Sequence, residues 1–260
     1  MITSESNTQV KEAVKLQKSA KERKRQKLFV AEGQKLVKEA ALYGKLQKVY
    51  IAESAWKKGI EEPSLLECGY EVIADRVFSS MSGTVTPQGV LGLVQMPSYG
   101  LGTILGNPKK SILLLDNLRD PGNLGTIMRT AEGAGMSGII LSQESVDLFN
   151  PKVVRSTMGA IFRMPFYYAE DLAETIETLK QNQIPVYGTM MQGSIVYDVP
   201  DYKKGAGIVI GNEASGISET VAAHLTQTIY IPMEGNLESL NAAISAAILM
   251  YEIARQKRMD

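Results

Sequence analysis

Apolar positions follow two different rhythms along this chain. Around residues 32–43, Leu36, Val37, Ala40 and Ala41 recur three and four apart, which predicts one helix face, and Gly44 stands where a helix stop belongs. KVYIAE and EVIAD then read as short strands, VFSSMSG as a helical stretch, and GVLGLVQMP as a buried strand closing a small α/β unit. A Gly-, Pro- and Ser-rich stretch at about 97–110 reads as a linker.

From Ser111 the pattern becomes regular. The apolar runs ILLLD, GIIL, FYY, PVYGTMM, GIVIG and TIYIPM alternate with helical stretches: one around 125–133, PKVVRSTMGAIF, EDLAETIETLKQ, ISETVAAHL, and a last one beginning near Leu237. Continuous apolar strands between helices predict a parallel sheet covered on both faces. Ligands bind such sheets beyond the carboxyl ends of the strands, so chemistry is sought in the loops after ILLLD, PVYGT, GIVIG and TIYIP.

Composition sharpens the division. The 260 residues carry 28 basic and 28 acidic side chains. Up to Lys110 there are 17 basic and 11 acidic residues, and beyond it 11 and 17, so a front of +6 precedes a back of −6. Such a front suits a polyanion. Much of the excess lies in Lys11, Lys15, Lys18, Lys21, Arg23, Lys24, Arg25 and Lys27, read as one basic helix that is either a solvated face or a grip on nucleic-acid phosphates. The single cysteine, Cys68, excludes an intrachain disulfide and a cysteine-rich zinc site and favours a reducing cytosol. The polar start lacks a signal-peptide core, and no apolar run is long enough to span a bilayer, so a cytoplasmic protein without a membrane segment is expected.

Three loops carry unusual residues. In DNLRDPGNLGTIMRTAEGAG, Asn123 reads as an ordinary N-cap and Gly125 as a tight turn, whereas Arg129 sits in an apolar helical segment. Six helical positions put Asn123 and Arg129 on different faces, so the two converge only if Asn123 lies in the loop before the helix, where Pro-Gly is expected to place it. GIVIGNEASGIS sets Gly211, Asn212 and Glu213 at a strand end. Its glycines do not match the dinucleotide fingerprint, no GxxxxGK loop exists, and Glu213 has no neighbouring His or Cys to suggest a metal. IPMEGNLESLNAAISAAILMYEIA places Ser239, Leu240 and Asn241 near a helix start, with Leu240, Ile244, Ile248 and Tyr251 forming a stripe that is either core or subunit interface. Opening on one sheet edge, the three loops suit a small ligand with polar ends.

These segments resemble the three signature motifs of the SpoU (TrmH-like) family of RNA ribose 2'-O-methyltransferases in the SPOUT class: NLGTIMR, GNEASG and IPMEGNLESLNAAISAAI, in the family's order across 111–258. FVAEGQKLVKEA and SGTVTPQGVLGLV give the front a likeness to the L30e-like substrate-binding domain of one branch. The resemblance implies an α/β chain with an L30e-like RNA substrate-binding domain at 1–100, a linker at 101–110, and a parallel-sheet methyltransferase domain with a deep trefoil knot at 111–260.

It further implies S-adenosylmethionine as cofactor, cradled by Thr189, Gly211, Ile231, Met233 and Leu240. Asn123, Arg129, Glu213, Ser239 and Asn241 are implied around the reacting ribose, and Lys21, Arg23, Lys24 and Arg25 are expected on the RNA. A homodimer with sites at the subunit interface is implied, with no metal, and ribosomal RNA is favoured over transfer RNA. The family scheme makes Arg129 the base for the 2'-hydroxyl proton. A guanidinium keeps its proton far above neutral pH, so a cationic anchor for phosphate or developing alkoxide is chemically easier. The rivals are a non-catalytic RNA-binding or assembly protein on the same fold, a dehydrogenase, a base methyltransferase, and an enzyme acting on transfer RNA.

Overall fold

The computed structural model describes residues 1–43, 45–60, 63–190 and 195–259; Gly44, the expected helix stop, lies outside them. The chain runs α1 Thr8–Lys18, α2 Ala20–Gln26, β1 Leu28–Glu32, α3 Gln34–Leu42, β2 Leu46–Ala52, α4 Glu53–Lys58, β3 Tyr70–Ile73, α5 Asp75–Met81, β4 Val90–Gln95 and α6 Leu101–Leu105. It continues through β5 Ser111–Leu115, α7 Pro121–Ala134, β6 Gly138–Ser142, α8 Pro151–Ser156, β7 Phe166–Ala169, α9 Leu172–Gln181, β8 Val186–Thr189, β9 Ile195–Val196, β10 Ala206–Ile210, α10 Glu219–Ala222, β11 Gln227–Tyr230 and α11 Ala242–Arg258. Two compact units result: Met1–Pro97 with Asp147–Phe162, and Ser98–Val146 with Arg163–Asp260.

The first unit is built on a four-stranded sheet ordered β1-β4-β2-β3, antiparallel except for the β2–β3 pair. The expected single basic helix is two. Ser19 ends α1 in an extended conformation and then caps α2 by accepting the Glu22 N–H at 3.3 Å. Strand β1, at LFVAE, overlaps the expected start of the next helix: its β-branched and aromatic residues favour a buried strand, and Gly33 at φ 103° turns the chain into α3. Of the predicted face, Leu36, Val37 and Ala40 are buried and Ala41 is half-buried. The segment PKVVRSTMGAIF supplies α8 to this unit, and Phe29 meets Phe149 and Phe162 at centroid distances of 5.0 and 6.1 Å.

The second unit is the predicted parallel sheet, seven strands ordered β7-β6-β5-β10-β8-β11-β9, with every pair parallel. Strands β5, β6 and β10 are buried throughout, which explains their unbroken apolar runs. Each fully buried Leu or Ile contributes roughly 1.5–3 kcal/mol of transfer free energy. Residues 101–110, read as a linker, hold α6, whose Ile104 is fully buried in the core of this unit beside Ile112, Leu114 and Ile140. Leu237 precedes the last helix rather than starting it, because Asn241 is the N-cap: its Oδ1 accepts the N–H groups of Ala243 and Ile244 at 2.9 and 3.4 Å. Among the described residues no helix is long and apolar enough to cross a membrane.

Candidate active site

A cavity of about 740 Å³ opens at the carboxyl ends of β8, β10 and β11, within the roughly 300–1,000 Å³ range of small-molecule sites. Its walls include Thr189, Gly211, Ile231, Met233 and Leu240, all five residues expected around a cofactor, together with Glu213, Ser239 and Asn241. Three of the four expected strand-end loops therefore line it. The fourth, after β5, braces the wall from outside.

The bracing is a chain of hydrogen bonds through all three polar motifs. The Glu213 carboxylate accepts the backbone N–H groups of Arg119 and Asp120 at 3.2 and 3.0 Å and the Asn123 amide N–H at 3.0 Å. The oxygen of that Asn123 amide accepts from Asn241 Nδ2 at 3.0 Å, while Asn241 Oδ1 caps α11. Burial acts to raise the Glu213 pKa, but the donors from Asn123, its own backbone, Asp120 and Arg119 outweigh it and hold the carboxyl below its ordinary value.

Three expectations about α7 are corrected. Asn123 is not in a loop and not the N-cap. Asp120 caps the helix by accepting the Asn123 N–H at 2.8 Å, and Pro121 at the first helical position starts it two residues before Asn123. Gly125 is a buried residue inside the helix rather than a turn. Arg129 therefore lies about 9 Å along the axis and about 120° around it from Asn123. Its side chain is exposed, it does not line the cavity, and among the described residues it has no hydrogen-bond or ion-pair partner. The convergence expected of Asn123 and Arg129 does not occur within one chain.

The basic run of the first unit is also divided. Lys21, Lys24 and Arg25 are exposed, with Arg25 paired to Glu22. Arg23, expected on RNA, is buried: its Nε and Nη2 donate to Asp147 Oδ2 at 3.0 and 2.6 Å, and its Nη1 donates to the carbonyls of Leu16 and Gln17. A buried guanidinium that gives four of its five N–H groups to internal acceptors at the α1–α2 corner is not free to grip a phosphate.

In α11 the apolar stripe is not core. Ile244 and Tyr251 are 51 % and 48 % exposed, and Ala243, Ala246, Leu249, Met250 and Ile253 form the buried face.

A parallel α/β sheet with a cavity at its strand ends is the arrangement in which open α/β folds bind small ligands. Residues 110–251 match the SpoU rRNA methylase family, and residues 7–92 match the MRM3-like substrate-binding domain. The chain is 34 % identical over 254 residues to the 23S rRNA (guanosine(2553)-2'-O)-methyltransferase RlmP of Bacillus subtilis, covering 97 % of this chain and 98 % of that protein.

Among solved structures it resembles the SpoU methyltransferase AviRb of Streptomyces viridochromogenes in complex with S-adenosylmethionine. There the TM-score is 0.87 and the identity 26 %, over 98 % and 99 % of the two chains. It also resembles an S-adenosylmethionine-bound rRNA methyltransferase of Sinorhizobium meliloti, with a TM-score of 0.82 and 31 % identity over 98 % and 97 %. The chain belongs to the SpoU rRNA methylase family. It is an S-adenosylmethionine-dependent RNA methyltransferase acting on a ribose 2'-hydroxyl, the chemistry implied by the three motifs.

Sequence reasoning missed Asp116, Asn117 and Asn212 as contributors to the site. The first two close the apolar run ILLLDN, where a buried carboxylate and an amide directly after a strand are a signal in themselves.

Proposed function

We propose that this enzyme methylates a ribose of 23S ribosomal RNA as a cytoplasmic homodimer, and that the cavity at the ends of β8, β10 and β11 holds its S-adenosylmethionine. The observation that carries the RNA assignment is the 34 % identity to RlmP across nearly the whole of both chains, front unit included. Exposed Lys21, Lys24 and Arg25 support the first unit as the part that meets RNA phosphates.

The cavity's lining fits the cofactor. Main-chain groups at Gly211, Ile231 and Met233 suit an adenosine, and Glu213 and Glu238 supply negative charge for a cationic sulfonium. The bound cofactor supplies an electrophilic methyl group. The chain's own residues hold the acceptor: Glu213, Ser239 and Asn241 orient the ribose hydroxyl in line with that methyl, an entropic contribution to rate, and Asn123 holds Glu213 and Asn241 in place from behind.

Arg129 serves as a cationic anchor for phosphate or developing alkoxide and acts in the site of the partner subunit. The exposed Ile244 and Tyr251 face of α11 supports a dimer contact near it. Insertion of β10 between β5 and β8 in the sheet is consistent with the trefoil knot of the class.

The test pairs two inactive variants, Arg129→Ala and Asn241→Ala, in one solution. If a site draws on both chains, each mixed dimer keeps one intact site of two, and an equimolar, fully exchanged solution, in which half the dimers are mixed, regains about a quarter of wild-type turnover by site counting. A mixture that stays inactive, or a monomer in sedimentation, overturns the two-chain site. Methylation confined to transfer RNA overturns the ribosomal assignment.

A further inference from the structure

We propose that Asp116 and Asn212 are positioning residues that clamp the loop from Gly211 to Ser218 into its cofactor-binding shape. Neither has a role in the motif reading, and the inference rests on the proposal that S-adenosylmethionine occupies the cavity this loop lines.

The loop turns back on its own root. A Cβ on Gly211 would lie 2.2 Å from the Gly216 carbonyl carbon and 2.3 Å from the Ile217 nitrogen, so no side chain fits there. Gly216 takes φ +70°, a conformation glycine enters without a steric penalty. Asn212 closes the turn from within. Its backbone N–H donates to the Gly216 carbonyl at 2.9 Å and its carbonyl accepts the Gly216 N–H at 3.0 Å, while its side-chain Oδ1 accepts the N–H groups of Ala214 and Ser215 at 2.9 and 3.1 Å.

Two tethers from the end of β5 then fix the closed loop to the sheet. Asn212 Nδ2 donates to the Asn117 carbonyl at 2.8 Å, and Asn117 presents that carbonyl by adopting φ +58°, which asparagine tolerates. At the far end, the Ser218 N–H donates to Asp116 Oδ2 at 2.7 Å. Asp116 is 6 % exposed and its own N–H pairs with the Ile210 carbonyl at 2.9 Å, so the carboxylate is held beside the root of the loop it fastens. Charge-assisted bonds of this kind are roughly twice as strong as neutral ones. Glu213, the acceptor at the centre of the ribose-side network, sits between the two tethers. Asp116 itself does not line the cavity, so its effect on the cofactor passes through the loop.

The experiment measures S-adenosylmethionine affinity by calorimetry, RNA affinity by filter binding, and hydrogen exchange of 211–218 in the full-length protein. Asp116→Ala is expected to weaken cofactor binding about tenfold or more, leave RNA affinity within about twofold, and speed exchange in the loop. Asp116→Asn retains an acceptor oxygen and is expected to restore cofactor affinity to within about threefold. Asn212→Ala, in the partly exposed loop, repeats the loss of affinity without disturbing a buried site, and covers the case in which Asp116→Ala fails to fold.

If cofactor protects 211–218 in the wild type but both alanine variants bind it normally, the clamp is overturned and the cavity assignment stands. If cofactor leaves 211–218 unprotected in the wild type, the cavity assignment fails and the clamp with it. Failure of Asp116→Asn to rescue, with equal losses of RNA and cofactor binding, would make Asp116 a general structural residue.

Discussion

Two arginines in two basic or apolar helices carry opposite environments. Arg23 on α2 is 3 % exposed and gives its guanidinium to one carboxylate and two carbonyls, whereas Arg129 on α7 is exposed and meets no partner among the described residues. The first lies in a run of cations that reads as an RNA grip; the second lies among Leu124, Ile127 and Met128 and would need a partner if turned inward. The environment of Arg23 reverses its expectation, and that of Arg129 leaves its guanidinium turned outward. An arginine satisfied internally fixes the fold, and one kept at the surface beside an ordered polar network is available to a substrate or a second chain.

The sharpest way to break this contrast is to delete each arginine. Arg129→Ala should remove turnover, a loss of at least 10²–10³-fold in order of magnitude, with cofactor affinity within a few-fold and an unchanged melting temperature. A stability loss would place Arg129 with the structural residues instead. Arg23→Ala should do the reverse, costing about 3 kcal/mol in chemical denaturation by stranding the Asp147 carboxylate, while turnover per folded molecule holds. Unchanged denaturation would show that the pair contributes nothing net.

Smaller effects sharpen it further. Glu213→Gln should lower turnover about ten- to a hundredfold, because an amide offers one acceptor oxygen where three N–H groups converge. The folded-state pKa of Glu213 is depressed, so its ionised form contributes stability that is complete above the unfolded value of about 4.3 and is lost as pH falls through the lower folded value. Any stability difference between wild type and Glu213→Gln should therefore hold constant from neutral pH down to about 5 and shrink below about 4. A difference that grows on acidification would contradict the network. The smallest effect belongs to the exposed cations: Lys24→Glu with Arg25→Glu should reduce the slope of log RNA affinity against log salt by about one to two, and an unchanged slope would return that face to solvent.

Much of the fold was legible because β5, β6 and β10 of the second unit are buried throughout, so ILLL, GIIL and AGIVI leave no polar residue to obscure them. The lining of the cavity was named only through the likeness of the three motifs to a known family, since Ile231, Met233 and Leu240 carry no chemical signal of their own. Helix α7 was harder. Pro121-Gly122 reads as a turn, yet proline also suits the first helical position, and Asp120 was there to cap it. That one shift moves Asn123 into the helix and separates it from Arg129. Burial of Arg23 was invisible because its partner Asp147 lies 124 residues away, and only tertiary packing brings the two together. Ser19 was equally ambiguous, since a serine within a helical run also serves as the cap that starts a new helix.

The central claim, methyl transfer to a ribose of ribosomal RNA, is tested most directly with labelled S-adenosylmethionine and unmodified ribosomal and transfer RNA, followed by alkaline digestion. A methylated 2'-oxygen cannot assist cleavage of its neighbouring phosphodiester, so the account predicts label in alkali-resistant dinucleotides from 23S ribosomal RNA. Label released in mononucleotides would show base methylation, and label only in transfer RNA would assign a different acceptor; either result contradicts the account.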